Sequence, residues 1–174
     1  MSLNLVFKPS KSILLTPEDR PKKYTGKAAA LVKLQRYCAY QDRCHQEVRS
    51  KLLELGVYGD DLEEVMVALI EENFLNEERF ARSYARGKFR MKQWGWVRIR
   101  QELKRRQISE YCIKAAFSEI DETEYEKTLY QLLSKYKNAT KAPNERALRD
   151  KCFRHALQRG YESEKIQEVL KIIE

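Results

Sequence analysis

Apolar residues fall in register three times along this 174-residue chain, at offsets of 51 and 53 residues. With Gly56, Gln107 and Gly160 superposed, Val48, Ile99 and Cys152 stand eight positions earlier, and Leu52, Leu103 and Ala156 four positions earlier. Val57, Ile108 and Tyr161 follow at once; Leu62, Ile113 and Ile166 come five positions later, and Met66, Phe117 and Leu170 four beyond those. Four-residue steps interrupted at one turn describe a helix, a stop and a second helix sharing an apolar side. The same helix-turn-helix packing is therefore expected three times.

Each unit is completed by an earlier helix: Ala28 to Tyr40, Glu77 to Met91, and Tyr125 to Tyr136. The expected layout is an N-terminal flexible tail over 1–27, then three-helix repeats over 28–74, 75–121 and 122–174. Gly56 and Gly160 sit where a left-handed residue ends a helix. Gln107 in the same place predicts either a different ending or tolerated strain of about 1 kcal/mol. Asp61 with Glu64 predicts a capping box opening the third helix. Residues 137–145, with Pro143, predict a mobile loop.

Charge is distributed unevenly over this frame. Eleven of the 34 Lys/Arg and one of the 26 acids fall between Arg79 and Arg106, so the excess of +8 resides in that segment. At about 100° per residue Arg79, Arg82, Arg86 and Arg90 form one stripe, opposite Phe80, Ala81, Tyr84 and Ala85. In the helix after Lys88, Lys92 and Trp94, residues Trp96, Ile99 and Leu103 face inward. Arg98 and Arg105 point away, and Arg100 and Lys104 lie on the flank beside Arg106. Eight of the eleven cations are arginine, which suits bidentate bonding to phosphate or carboxylate. A merely solvated face would carry acids at i+4, and this stretch offers almost none. The segment is therefore expected to be a binding surface for a polyanion or an acidic protein groove. Trp96 is expected to pack; Trp94 is open to packing or to stacking on a base.

Nothing in the sequence points to catalysis. It has no phosphate-binding loop, no nucleophile elbow, no zinc-protease helix and no dinucleotide fingerprint. The four cysteines are scattered, and neither Cys44–His45 nor Cys152 with His155 has the spacing of a structural zinc knuckle. No catalytic, cofactor or metal site is expected. The cysteines are expected to be reduced thiols in a cytoplasmic protein, since no apolar run approaches the roughly 20 residues of a membrane span and no secretory signal is recognisable.

The run FLNEERFARSYARGK followed by WGWVRIRQELKRRQIS resembles the RecX family of recombinase-regulatory proteins. Leu75, Asn76, Glu77, Glu78, Arg79, Phe80 and Ala81 carry the first part of the likeness; Gly95, Ile99, Leu103 and Ile108 carry the second. It extends over about residues 28–173, including Arg159, Gly160 and Tyr161. Gln107, where the family usually has glycine, and the long stretch before Ala28 are departures. The resemblance implies an all-α protein of three tandem three-helix repeats forming an elongated, curved molecule, acting as a monomer without cofactor. It implies that the partner is the RecA recombinase filament on DNA, bound in its groove, with ATPase, coprotease and strand-exchange activities restrained. The arginine face would then meet RecA or the DNA phosphate backbone. The alternative is a nonspecific DNA-binding helical module acting without RecA.

Overall fold

The computed structural model describes residues 24–173, and the expected tail lies mostly outside them. Among the described residues the regular structure is helical: α1 Lys27–Tyr40, α2 His45–Glu54, α3 Gly59–Glu71, α4 Glu77–Lys92, α5 Trp96–Arg105, α6 Glu110–Phe117, α7 Glu122–Ala139, α8 Glu145–Arg159 and α9 Ser163–Ile172. They form tandem three-helix repeats along an elongated, curved molecule.

The repeat is visible in the backbone bonds. At the three stops the N–H of Val57, Ile108 and Tyr161 reaches back to the carbonyl of Leu52, Leu103 and Ala156, at 3.0, 3.1 and 3.2 Å. This is the six-to-one bond of a Schellman ending, and it requires a left-handed residue between. Gly56 and Gly160 supply it with φ of 75° and 87°. Gln107 adopts φ 58° despite its side chain, so the second unit keeps the ending and tolerates the strain. Nearly every aligned apolar position is buried: Val48, Leu52, Ile99, Leu103, Ala156, Tyr161, Ile113 and Ile166 are each fully covered, and only Phe117 is half-buried.

Two local expectations are corrected. Helix α3 starts at Gly59 with Tyr58 as its cap, so Asp61 lies inside the first turn, where it accepts a bond from the Tyr24 hydroxyl at 2.6 Å. The capping-box geometry falls instead at α2, where Cys44 N–H donates to Glu47 Oε2 at 3.0 Å. Helix α7 runs on to Ala139, leaving a connection of only 140–144 before Asn144 caps α8 by accepting the Ala147 N–H at 2.8 Å.

The three units do not pack alike. Leu34, Val48, Leu52, Val57, Leu69 and Leu75 belong to a core confined to α1–α3 and the Phe74–Leu75 connection. A second, larger core runs without interruption from α4 to α9. Its centre is Tyr125, fully buried, with ring centroids 5.3 Å from Trp96, 5.8 Å from Phe89 and 5.1 Å from Tyr161. Its hydroxyl accepts the Trp96 N–H at 3.1 Å and donates to Glu162 Oε2 at 2.6 Å. Burial, and then the bond to Glu162, push this phenol far above its ordinary value, so it stays a neutral donor. Cys44 also packs against the larger core, joining the α1–α2 turn to it.

Candidate functional site

The basic stripe on α4 is less free than its own helix suggests. Arg79 Nε lies 2.8 Å from Asp42 Oδ1 in the α1–α2 turn. Arg82 pairs with Glu78 and, through Nη1 at 2.8 Å, with Glu119 just past α6; Arg86 meets the other Glu119 oxygen at 2.9 Å. Arg90 stands 3.5 Å from Glu124 of α7. On α5 and its end, Arg100 and Lys104 share Glu110, and Arg105 and Arg106 share Glu102. Glu78 and Glu102 each serve a partner within one turn, and Asp42, Glu110, Glu119 and Glu124 reach the rest from elsewhere in the chain, so the small number of local acids does not leave these residues unneutralised. The stripe straps α4 to its neighbours.

Three cations of the block escape this pairing. Among the described residues no carboxylate lies within ion-pair distance of Lys88, Lys92 or Arg98. They gather at the turn joining α4 to α5, where Gln93 is left-handed with φ 51° and ψ 44°. The Arg98 guanidinium lies 4.1 Å from the Trp94 ring centroid, and the Lys88 ammonium 5.3 Å from it. Trp94 is half-buried, packs against the larger core and carries these cations over its ring, and Trp96 packs on Phe117 and Tyr125. A fourth cation, Arg159, arrives from the end of α8. Its Nη1 donates to the Lys92 carbonyl at 2.7 Å, and Arg98 Nη1 donates to the Gln158 carbonyl at 3.1 Å. Arg90, Lys92, Trp94, Arg98 and Arg159 line one shallow concavity with no acid in its wall.

A backbone splice fixes this arrangement. Gly95 N–H donates to the Arg159 carbonyl at 2.8 Å, and Val97 N–H to the Gly160 carbonyl at 3.0 Å. The unsatisfied amides at the start of α5 thus meet the unsatisfied carbonyls at the end of α8, ends of opposite partial charge. The approach is close enough that only glycine fits: a Cβ on Gly95 would stand 2.5 Å from Tyr161 N, and one on Gly160 2.5 Å from Arg98 N.

Arg159 and the distant acids Asp42 and Glu119 were not indicated by local spacing. Asp42 also accepts the Ser83 hydroxyl at 2.7 Å. Burial alone would raise its pKa; the Ser83 and Arg79 bonds outweigh that and hold the carboxyl below its usual range. Its contribution is therefore complete above the ordinary carboxylate pKa of about 4 and disappears as pH falls through the lower folded value. Asp42→Asn is expected to lower the melting temperature at pH 7 by an amount corresponding to no more than about 1 kcal/mol. The two melting curves should converge in a titration towards pH ~3. A difference that grows on acidification would contradict this account of the junction.

The four cysteines are free and buried, and among the described residues no group of three or more His, Cys, Asp or Glu could hold a metal. No helix among them is long and apolar enough to cross a membrane.

Comparison with known proteins bears on the same segments. Residues 76–116 match the model of the RecX second three-helix domain, and residues 122–170 that of the third. The regulatory protein RecX of Salmonella typhimurium is 30% identical over 152 residues, covering 82% of this chain and 90% of that protein. The RecX protein of Clostridium perfringens strain 13 is 31% identical over 122 residues, 69% of this chain. This chain spans only 57% of that relative's length, and 50% of the Lactococcus lactis strain SK11 protein. In fold, the crystal structure of RecX from Lactobacillus salivarius gives a TM-score of 0.76 at 21% identity, over 84% of this chain and 96% of that one.

Proposed function

The chain belongs to the RecX family, and from that premise we propose that it is a non-catalytic regulator that binds the RecA filament in the cytoplasm as a monomer and restrains its ATPase, coprotease and strand-exchange activities. The observation that carries the reading is the cluster of Lys88, Lys92, Arg98 and Arg159. It holds four cations with no carboxylate within ion-pair distance among the described residues, fixed at one turn of a curved chain of helical units. Unneutralised charge held this close repels itself, and a partner supplying oxyanions relieves the repulsion. Successive packed units give an extended surface instead of an enclosed pocket, a shape suited to following a filament groove.

Within the contact face we assign the direct role to Lys88, Lys92, Trp94 and Arg98, with Arg90, Arg100, Lys104 and Arg105 at the rim. Arg79, Arg82, Arg86 and Arg106 act by holding the face in place through Asp42, Glu119 and Glu102. On this reading the chain cosediments with RecA assembled on single-stranded DNA with a non-hydrolysable nucleotide, and raising the salt from about 50 to about 500 mM releases it. Recovery of equal amounts with RecA filaments and with the same DNA lacking RecA would favour a helical DNA-binding module acting without RecA.

A further inference from the structure

The concavity at the α4–α5 turn is assembled by two repeats, and that joint construction points to a specific ligand. Lys92 and Arg98 come from the second unit, and Arg159 from the third. Each guanidinium spends one N–H on a backbone carbonyl, Gln158 for Arg98 and Lys92 for Arg159. Those bonds orient the two planes and leave further donors on each. Lys92 is exposed, and its side chain has no partner among the described residues. Trp94 forms one wall, with Arg98 laid over the ring.

We infer that this two-unit concavity is a phosphodiester site for the backbone of single-stranded nucleic acid, with Lys92, Arg98 and Arg159 as its contacts. Two oriented guanidinium groups and a free ammonium match successive oxyanions that carry full charge and accept several bonds each. The engagement of Trp94 by Arg98 and Lys88 leaves its ring to position cations, so binding is blind to base identity. The concavity is shallow and curved between two turns, and a flexible single strand can bend its backbone to follow it. A duplex, stiff over about 150 base pairs, rests on the rim. The inference builds on the reading above by naming what the turn touches within a RecA–DNA filament.

The test is the binding of a fluorescent 20-residue oligothymidylate to the full chain, followed by anisotropy across a salt series. Three contacts predict a slope of log affinity against log salt of about −2, from ~0.7 per phosphate on single strands. Lys92→Ala, which removes no intramolecular contact of that side chain, should reduce the slope by about 0.7. The triple change Lys92→Ala, Arg98→Gln, Arg159→Gln removes all three cations, and should weaken binding at least tenfold while the circular-dichroism spectrum remains that of the folded helical chain. Unchanged affinity and slope in a folded triple variant would overturn the inference, as would equal binding of a 20-base-pair duplex. Should the parent ignore the oligonucleotide while the triple variant loses inhibition of RecA, the cations meet carboxylates on the protein partner; the inference then fails and the proposed function stands. Oligonucleotide binding as described, with no effect of the chain on RecA, would uphold the phosphodiester site and defeat the proposed function.

Discussion

Replacing Gly95 with alanine is expected to destabilise the chain by about 3 kcal/mol or more, among the larger effects a single methyl group can have. The added carbon would overlap the Gly160 carbonyl and stand 2.5 Å from Tyr161 N. Neither neighbour can yield cheaply. The Gly160 carbonyl accepts the Val97 N–H, the Arg159 carbonyl accepts the Gly95 N–H, and Tyr161 N–H is bonded to Ala156. Moving them breaks bonds worth about 1 kcal/mol each and displaces the buried Tyr161 ring beside Tyr125. Gly160→Ala should be comparably harmful, since its carbon would meet Arg98 and its φ of 87° is left-handed. Gly87 is the internal control: a methyl group there meets nothing within 4 Å, and the residue lies inside α4. Alanine at Gly87 should stabilise the helix by about 0.5–1 kcal/mol. Urea denaturation of the three variants measures the differences, and a Gly95→Ala variant as stable as its parent would refute the splice.

The second large effect is functional. Lys88→Glu combined with Lys92→Glu should weaken inhibition of RecA at least tenfold, with the melting temperature lowered by only a few degrees. Lys92 has no side-chain partner among the described residues, and Lys88 gives up only contacts over Tyr84 and Trp94 at 5.1 and 5.3 Å, each worth about 0.5–1 kcal/mol. Reversing Arg82 and Arg86, which the sequence alone would suggest as the cleaner test of an exposed stripe, is a poorer choice. Both guanidinium groups bind Glu119, and Arg82 also binds Glu78. Two new carboxylates beside Glu119 would loosen α4 from the end of α6, and activity would fall for a structural reason. The assignment of the contact face therefore depends on the variant at Lys88 and Lys92. Full inhibition by that variant would move the face elsewhere.

The difference between those two tests shows how far the sequence is legible. The helical repeat and its stops are readable because they are local: a four-residue period, a glycine and the residue after it suffice for Leu52–Val57 and for Ala156–Tyr161. Even Gln107 is placed at a stop by register alone, in agreement with its φ of 58°. The inward placing of Phe80, Ile99 and Leu103 follows from the same period, and so does the packing of Trp96. Pairing across units has no such signature. Asp42 lies 37 residues from Arg79, and Glu119 lies 37 from Arg82 and 33 from Arg86. A search for acids one turn away cannot find them. The fusion of the second and third repeats into one core is equally hidden, because it depends on Tyr125 and on the approach of Gly95 to Gly160. Gly95 is readable as a turn, but not as a residue pressed against a backbone 65 positions on. For that reason Arg159, which the splice delivers to the basic turn, is absent from the site expected on sequence grounds.

The central claim is that this chain restrains RecA, and the rate of ATP hydrolysis by RecA on single-stranded DNA tests it most directly. With RecA and DNA held fixed, adding the chain is expected to lower the steady-state rate in a saturable manner, more weakly as salt rises, and to lower it far less when Lys88 and Lys92 are both glutamate. A rate unchanged by the parent chain, under conditions where it remains folded and in excess over RecA, would contradict the account.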